Sequence, residues 1–235
     1  MNKKMKKVLI LLILLGIQFQ NSAQSSLKNK NWWVIPSTLV GLGIVASSDQ
    51  FKQNQVSFHD NNLQNFHTNA DDFLQYTPIL INVGLSLASS DKKNRQDKLA
   101  RFAIGTVLYV GITQGLKRTL EIKRPDGGEH SFPSGHTTTA FFGAHLLAKE
   151  VKDSQPWLAV LGYGLATTTG ALRVANNAHW VSDVLVGAGI GIASAELGTM
   201  IWDKYKSKFH NKHAFQLNPI VGNQLYAVQL TWDLN

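Results

Sequence analysis

The residues of this chain with the clearest capacity for chemistry lie within residues 117–183. They comprise two histidines, one acid, three cations and a serine–glycine pair, namely Lys117, Arg124, Ser134, Gly135, His136, Arg173, His179 and Asp183. Cationic side chains and the free amides of a helix start bind phosphate oxygens. An imidazole steered by an acid can act as a nucleophile or carry a proton. The set therefore predicts a site that handles a phosphate group.

The last of three short motifs pairs a histidine with an acid. His179 and Asp183 are four residues apart, which places them on one face of a helix about one turn from each other. A carboxylate there accepts a hydrogen bond from one imidazole nitrogen and leaves the other nitrogen free to attack or to bind. Asn176 and Asn177 indicate a turn, so that Arg173 ends one helix and His179 opens the next. A surface His–Asp pair has the same spacing.

The middle motif, Pro133-Ser134-Gly135-His136, predicts the start of a helix. Ser134 is a typical N-cap residue, and Pro133 prevents the helix from continuing upstream. The free amides of such a start form a phosphate cradle when a glycine lets the anion approach, and His136 would lie beside that anion. An ordinary capped helix with an incidental histidine gives the same four residues.

The first motif supplies two cations, Lys117 and Arg124, which are seven residues apart. This spacing is about two helical turns. Pro125 and the cluster Asp126-Gly127-Gly128 predict the end of that helix. Arg124 offers a bidentate fork to phosphate oxygens and Lys117 offers a point charge. A solvated basic helix end would carry the same residues.

Together, the three motifs resemble the signature of the type 2 phosphatidic acid phosphatase and vanadium haloperoxidase superfamily. That signature is a Lys followed after six residues by Arg-Pro, then Pro-Ser-Gly-His, then Ser-Arg followed after five residues by His and after three more by Asp. The chain matches every catalytic position. It departs from the signature where Leu172 replaces the serine before Arg173, and we expect little effect because that serine is not the reacting group.

The resemblance implies a role for each residue of the set. His179 would attack phosphorus and form a phosphohistidine while Asp183 holds its ring, and His136 would protonate the leaving alkoxide and then activate water. The remaining residues would bind the phosphate oxygens, with cations at Lys117, Arg124 and Arg173 and the rest of the cradle at Ser134 and the Gly135 amide. No metal is required, because these cations neutralise the developing charge.

The implied substrates are phosphate monoesters of lipids, such as phosphatidic acid, an isoprenyl phosphate or a lipid A phosphate, or else a small soluble ester. Two alternatives stay open. A vanadium haloperoxidase would hold vanadate in the same cradle, and vanadate is a cofactor under that interpretation alone. A non-catalytic protein that binds lipid headgroups would keep the cradle without the reaction.

The first residues of the chain have the pattern of a secretory signal peptide. Four lysines precede an apolar run over residues 8–17 and a short polar stretch that ends at Ala23. We expect residues 1–23 to be removed and residues 24–235 to form a single domain, whose formal net charge falls from +8 to +4 with those four lysines. This modest basic excess does not favour a nucleic acid partner. The chain has no cysteine, which excludes a thiol nucleophile and any thiolate metal site.

Six apolar segments predict an all-α fold, a bundle of about six core helices. They cover residues 32–48, 73–90, 99–115, 136–148, 157–172 and 184–202. Residues 49–72 between the first two are polar and include the acid pair Asp71-Asp72. At the C-terminal end, residues 215–221 and 225–232 alternate like the strands of a small β-hairpin.

The six segments are near the lower length limit for a transmembrane helix. They hold many Ser, Thr, Asn and Gly residues, and the mean hydropathy of −0.08 is low for a protein with several membrane spans. We therefore favour an exported, periplasmic protein, soluble or in contact with the membrane surface. The alternative is an integral inner-membrane protein whose site faces the periplasm. The oligomeric state is open at this point.

Overall fold

The architecture was obtained from a computed structural model, which describes residues 31–211, 216–221 and 226–231. The signal peptide prediction falls outside these residues. The described helices are α1 (Val34–Val45), α2 (Asp49–Asn62), α3 (Ala70–Leu74), α4 (Thr77–Ala88), α5 (Lys92–Leu120), α6 (Gly135–Val151), α7 (Pro156–Ala175) and α8 (Val181–Asn211). The prediction of an all-α helical bundle is confirmed.

Two short strands follow the last helix, β1 (Gln216–Val221) and β2 (Tyr226–Thr231). They pair antiparallel, with Gln216 opposite Thr231 and Val221 opposite Tyr226. The predicted C-terminal hairpin pairing is therefore present.

Helix α6 is the centre of the bundle, because it packs against α4, α5, α7 and α8. The aromatic ring of Phe142 on α6 is fully buried, and its centroid lies 4.8 Å from that of Tyr109 and 5.8 Å from that of Phe102, both on α5. A long central helix surrounded in this way holds its first turn rigidly, and that first turn carries the middle motif.

Glycines on α8 allow the backbone of α6 to approach closely. A Cβ added at Gly191 would lie 2.5 Å from the carbonyl oxygen of Thr138, and one added at Gly187 would lie 2.8 Å from that of Ser134. Small residues at a helix contact permit this kind of backbone packing. Through these contacts, α8 fixes the distance between the middle motif and the last motif.

The structure corrects the predicted end of the helix that carries Lys117. Helix α5 ends at Leu120, because Glu121 takes a left-handed conformation with φ 48°. Arg124 therefore lies in the following loop, where its amide donates to the carbonyl oxygen of Gly128. The proline and glycine cluster shapes this loop and does not end the helix. Lys117 and Arg124 consequently do not share a helix face.

Two further helices differ from the expectations. The polar stretch after α1 forms α2, which the sequence did not predict because it lacks an apolar stripe. The predicted apolar segment over residues 73–90 is divided between α3 and α4, with Pro78 in the first turn of α4. A proline is well tolerated at that position and stops a helix that arrives from upstream.

Three described helices are long and apolar enough, by length and composition, to cross a membrane. They are α5, α7 and residues Val181–Phe209 of α8. Large apolar side chains also point outward, including Val107 on α5, which is 73% exposed, and Val160 on α7, which is 75% exposed. These features indicate membrane association.

Candidate active site

His179 and Asp183 meet in a buried pair at the start of α8. Nδ1 of His179 lies 3.4 Å from Oδ2 of Asp183, and each residue is 1% exposed. The same carboxylate oxygen accepts hydrogen bonds from the hydroxyl of Ser131 and from the amide of Trp180, the latter at 3.0 Å. These two donors fix the carboxylate beside one ring nitrogen. Nε2 of His179 is then the nitrogen that is free for chemistry.

Burial keeps the imidazole of His179 neutral. It lowers the pKa of His179 to about 4, against the hydrogen bond and negative charge of Asp183, while the positive charges of Lys117 and Arg173 lower this pKa further. A nucleophilic nitrogen needs a free lone pair. This histidine therefore has the protonation state of a nucleophile at neutral pH.

The loop that presents His179 closes the end of α7. The amides of Ala178 and His179 both donate to the carbonyl oxygen of Arg173, at 3.1 and 3.2 Å. Asn177 has a φ of 56°, a left-handed conformation that asparagine tolerates. The predicted turn is therefore present, although His179 precedes the first residue of α8 by two positions.

The middle motif forms the predicted capped helix start. The Oγ of Ser134 accepts hydrogen bonds from the amide and the hydroxyl of Thr137, at 3.4 and 3.0 Å. The amide of Ser134 donates to the carbonyl oxygen of Asp183 at 3.1 Å, which ties the cap to the last motif. A Cβ added at Gly135 would lie 3.9 Å from Cε of Lys117, so the lysine side chain runs beside the helix start.

Three cations converge on this region. The Nζ of Lys117 donates to the carbonyl oxygen of His130 at 2.6 Å, and its charge interacts with those of Arg124, Arg173 and Asp183. The Nε of Arg124 donates to the carbonyl oxygen of Glu129 at 3.2 Å. Such a concentration of positive charge is unfavourable without an anion to share it. The arrangement suits a phosphate group.

Arg173 has one donor that no described residue satisfies. Its Nη1 donates to Oδ2 of Asp71 at 2.6 Å, whereas its buried Nε has no hydrogen-bond partner among the described residues. Leaving a buried donor unsatisfied costs about 1–3 kcal/mol. A bound phosphate oxygen would satisfy it, which makes this nitrogen an indicator of an anion site.

His136 lies in the first turn of α6, and its Nε2 is 2.8 Å from Oδ1 of Asp72. Burial lowers the pKa of His136, and the nearby Arg173 lowers it further, while the hydrogen bond to Asp72 opposes both effects. A histidine with one carboxylate partner and an accessible ring can carry a proton to or from a bound group.

Residues 109–207 match the family model of the PAP2 superfamily. These residues include all three motifs, so this region of the chain is similar to the PAP2 superfamily.

Two relatives of this chain are named for lipid A. A lipid A 1-phosphatase of Porphyromonas gingivalis is 40% identical over 143 residues, which are 59% of this chain and 32% of that protein. The chain thus spans about a third of the length of this relative. A lipid A 4'-phosphatase of Helicobacter pylori is 29% identical over 174 residues, which are 69% of this chain and 82% of that protein.

A solved PAP2 structure has the same fold. It is the crystal structure of the first transmembrane PAP2 type phosphatidylglycerolphosphate phosphatase from Bacillus subtilis, with a TM-score of 0.54 and 16% identity. The match covers 75% of this chain and 98% of that one. At this identity, the likeness establishes the fold and nothing about the substrate.

Several residues that shape the candidate site were not predicted. Asn176 donates from Nδ2 to Oδ1 of Asp71 at 3.0 Å and to the carbonyl oxygen of Thr68 at 2.8 Å, and its Oδ1 accepts from the Thr68 amide at 3.0 Å. Asp71 in turn holds Arg173. The sequence analysis noted Asp71-Asp72 as a pair of acids, but their spacing did not indicate that Asp71 would contact Arg173 and Asn176.

Helix α2 supports the loop that carries His179 from outside the motifs. The Nε2 of Gln55 donates to the carbonyl oxygen of His179 at 3.0 Å, and its Oε1 accepts from the amide of Val181 at 2.9 Å. The Nζ of Lys52 lies 5.0 Å from the ring centroid of Trp180. The sequence contains no signal for the contact between α2 and this loop, because α2 makes it with polar side chains and not with an apolar stripe.

Asp71, Asp72 and His136 form a group whose possible ligand atoms lie within 4.8 Å of one another. The oxygens of Asp71 already accept from Arg173 and Asn176, however. A guanidinium in contact with a carboxylate opposes a metal cation at the same oxygens. The group fits a proton-carrying histidine with acidic partners better than it fits a metal site.

Proposed function

We propose that this chain is a metal-independent phosphatase that hydrolyses phosphate monoesters of lipids, with lipid A as the first candidate substrate. The observation that supports it most is the buried His179, held neutral, within the field of Lys117 and Arg173. The unsatisfied Nε of Arg173 adds a donor for a phosphate oxygen. The lipid A phosphatases among its relatives support the choice of substrate class.

In the first step, Nε2 of His179 attacks phosphorus, and the bond from phosphorus to the ester oxygen breaks. His136 gives its proton to that oxygen, so the lipid leaves as a neutral alcohol. Asp183 stabilises the positive charge that develops on the ring of His179. The cations Lys117, Arg124 and Arg173, with the Ser134 hydroxyl and the Gly135 amide, bind the equatorial oxygens more strongly as the transition state forms.

In the second step, water attacks the phosphohistidine. The neutral His136 now takes a proton from that water, and the bond from nitrogen to phosphorus breaks. Inorganic phosphate leaves, His179 is again neutral, and His136 is again protonated. The two steps thus return both histidines to their starting states without a metal or an external co-reactant.

The proposed location is a membrane with the site on its periplasmic side. The apolar faces of α5 and α7 support contact with lipid, and the N-terminal pattern of residues 1–23 supports export. A substrate anchored in the bilayer would then present its phosphate to the start of α6.

The test is release of inorganic phosphate by the purified protein in detergent with EDTA present. Lipid A, phosphatidic acid and p-nitrophenyl phosphate would be compared for the wild type, His179→Ala and the control His67→Ala, whose side chain is exposed. We expect hydrolysis of lipid A by the wild type and the control, and a loss of at least about 10³-fold in His179→Ala. Near-normal activity of His179→Ala would overturn the assignment of the nucleophile.

Other results would favour the alternatives. Bromide oxidation by peroxide that requires added vanadate would indicate a haloperoxidase. Lipid A recovered bound and unhydrolysed would indicate a binding protein.

The phosphohistidine intermediate has its own test, because His136→Ala with p-nitrophenyl phosphate lacks the base for the second step. That variant should accumulate an acid-labile phosphoenzyme, which His136→Ala combined with His179→Ala should not form.

A further inference from the structure

Asp72 is a carboxylate outside the three motifs that contacts one of the two site histidines. It lies on α3, 64 residues before His136, and its Oδ1 is 2.8 Å from Nε2 of that ring. The side chain of Asp72 is 55% exposed, whereas that of its neighbour Asp71 is 1% exposed. The two acids therefore have different surroundings and different partners.

The position of Asp72 is set by the same loop that presents His179. Asn176 in that loop binds the backbone of Thr68 through both its amide nitrogen and its amide oxygen. Asp71 is fixed by Asn176 and by Arg173 at the end of α7. The segment just before Asp72 is thus fastened at Thr68 and at Asp71, and the Asp72 carboxylate is held against the ring.

Four influences act on the charge of His136. Burial and the positive charge of Arg173 oppose protonation of the ring, and the negative charges of Asp71 and Asp72 favour it. Of these three charged side chains, Asp72 is the one that forms a hydrogen bond to the ring among the described residues. A carboxylate on one imidazole nitrogen fixes the ring orientation and stabilises the imidazolium. Burial and Arg173 prevail, so that the pKa of His136 lies below its usual value even with Asp72 in place, and without Asp72 it would lie lower still.

We propose that Asp72 is a positioning residue for His136, which orients the ring through Nε2 and stabilises the protonated form that delivers a proton to the leaving oxygen. Nδ1 is then the nitrogen that gives up the proton as the bond from phosphorus to the ester oxygen breaks. The proton on Nε2 stays on the hydrogen bond to Asp72. This inference rests on the proposed phosphatase function.

The role predicts a dependence on the leaving group. An alkoxide is strongly basic and needs a proton as it leaves, whereas p-nitrophenolate is a stable anion and does not. A general acid therefore accelerates hydrolysis of an alkyl phosphate more than that of p-nitrophenyl phosphate. A residue that acts through the general acid must show the same selectivity. A residue that only supports the fold would affect both esters alike.

The experiment measures kcat/KM against pH for Asp72→Asn, Asp72→Glu and wild type with an alkyl phosphate and with p-nitrophenyl phosphate. The control is Asp153→Asn, an exposed acid two residues beyond the C-terminal end of α6. We expect Asp72→Asn to lose about tenfold on the alkyl ester at neutral pH, a part of the 10²–10⁴-fold effect of a general acid. The alkaline limb of the kcat/KM profile of Asp72→Asn should move to lower pH, because the His136 ring loses its proton more easily.

The p-nitrophenyl ester should be nearly unaffected, and Asp72→Glu should recover part of the loss. Equal losses on both esters, or an unshifted pH profile, would overturn the inference. A wild type inactive on every ester would overturn the proposed function instead. In that case, NMR titration of the His136 ring, assigned with His136→Gln, decides the inference, because Asp72→Asn must still lower the pKa of that ring.

Discussion

The hydroxyl of Ser131 donates a hydrogen bond to Oδ2 of Asp183, the carboxylate oxygen that lies 3.4 Å from Nδ1 of His179. Ser131 is fully buried, and its Oγ is itself 3.4 Å from that ring nitrogen. Its amide donates to the carbonyl oxygen of Ile122 at 2.7 Å, which anchors it in the loop after α5. The loop that carries Arg124 therefore also orients the histidine–acid pair.

Ser131→Ala should weaken the orientation of His179. Asp183 would keep the Trp180 amide as a donor and lose the hydroxyl, so its carboxylate would be less firmly fixed. We expect kcat to fall about tenfold and the unfolding free energy to fall by about 1–3 kcal/mol. Phosphate release and thermal unfolding in detergent measure the two effects.

Ser194→Ala is the matched control for this substitution. Ser194 is also fully buried, but its Oγ has no hydrogen-bond partner among the described residues. Removing an unsatisfied hydroxyl should leave stability unchanged or raise it. If both variants behave alike, the hydroxyl of Ser131 has no special role.

The lowered pKa of His179 predicts an activity profile that extends to acid pH. The ring is neutral above its pKa of about 4, whereas an ordinary histidine would be protonated below about 6.5. With saturating substrate, kcat should therefore have its acidic limb nearer to pH 4 than to pH 6.5. A limb at the ordinary histidine value would contradict a neutral, buried nucleophile.

The same shift predicts a pH dependence of stability. Because the pKa of His179 is lower in the folded state than its model value of 6.5, the unfolded state binds more protons between about 4 and 6.5. The free energy of unfolding should thus fall as the pH falls through this window. His179→Gln removes this ionisable group, and thermal unfolding of that variant should depend less on pH. If the stability of His179→Gln depends on pH as strongly as that of the wild type, other ionisable groups cause the pH dependence.

Close packing between α6 and α8 predicts that Gly187→Ala harms the site. The new Cβ would lie 2.8 Å from the carbonyl oxygen of Ser134, so α8 must move away from the start of α6. Overpacking of this kind costs about 1–3 kcal/mol. We expect lower thermal stability and weaker binding of inorganic phosphate as a competitive inhibitor.

The comparison is Gly164→Ala on α7, where the described residues place no atom within 4 Å of an added Cβ. Replacing a helical glycine by alanine in open space stabilises a helix by up to about 1 kcal/mol. If Gly164→Ala also weakens the binding of inorganic phosphate, then the inhibition constant of phosphate does not depend specifically on the α6–α8 contact.

Much of this arrangement was predictable, because the motifs combine chemistry with local geometry. The N-cap at Ser134 and the turn after Arg173 follow from residue type and short spacing, and both are present. The predicted end of α5 was wrong, because Glu121 leaves the helix four residues before Pro125. Its left-handed conformation could not be predicted from its residue type.

The supporting residues were not predictable in the same way. Ser131 and Asp183 are 52 residues apart, Asp71 and Arg173 are 102 apart, and Gln55 and His179 are 124 apart. Each contact joins elements that meet only in the folded bundle. A single sequence carries no spacing signal for such pairs, since periodicity describes neighbours along one helix or strand.

Arg173→Lys should show that the site needs the shape of the guanidinium as well as its charge. The guanidinium pairs through Nη1 with Asp71, and its buried Nε is left for the substrate. Lysine keeps the charge but lacks a planar fork, so it cannot serve a carboxylate and a phosphate oxygen in the same way. Losing one such donor to the transition state costs about 10²–10³-fold in kcat. We expect a loss of that size in phosphate release from lipid A.

The control is Lys149→Arg on α6, which exchanges one cationic side chain for another in an ion pair with Glu196 and should have little effect. Full activity of Arg173→Lys would mean that positive charge alone suffices at this position.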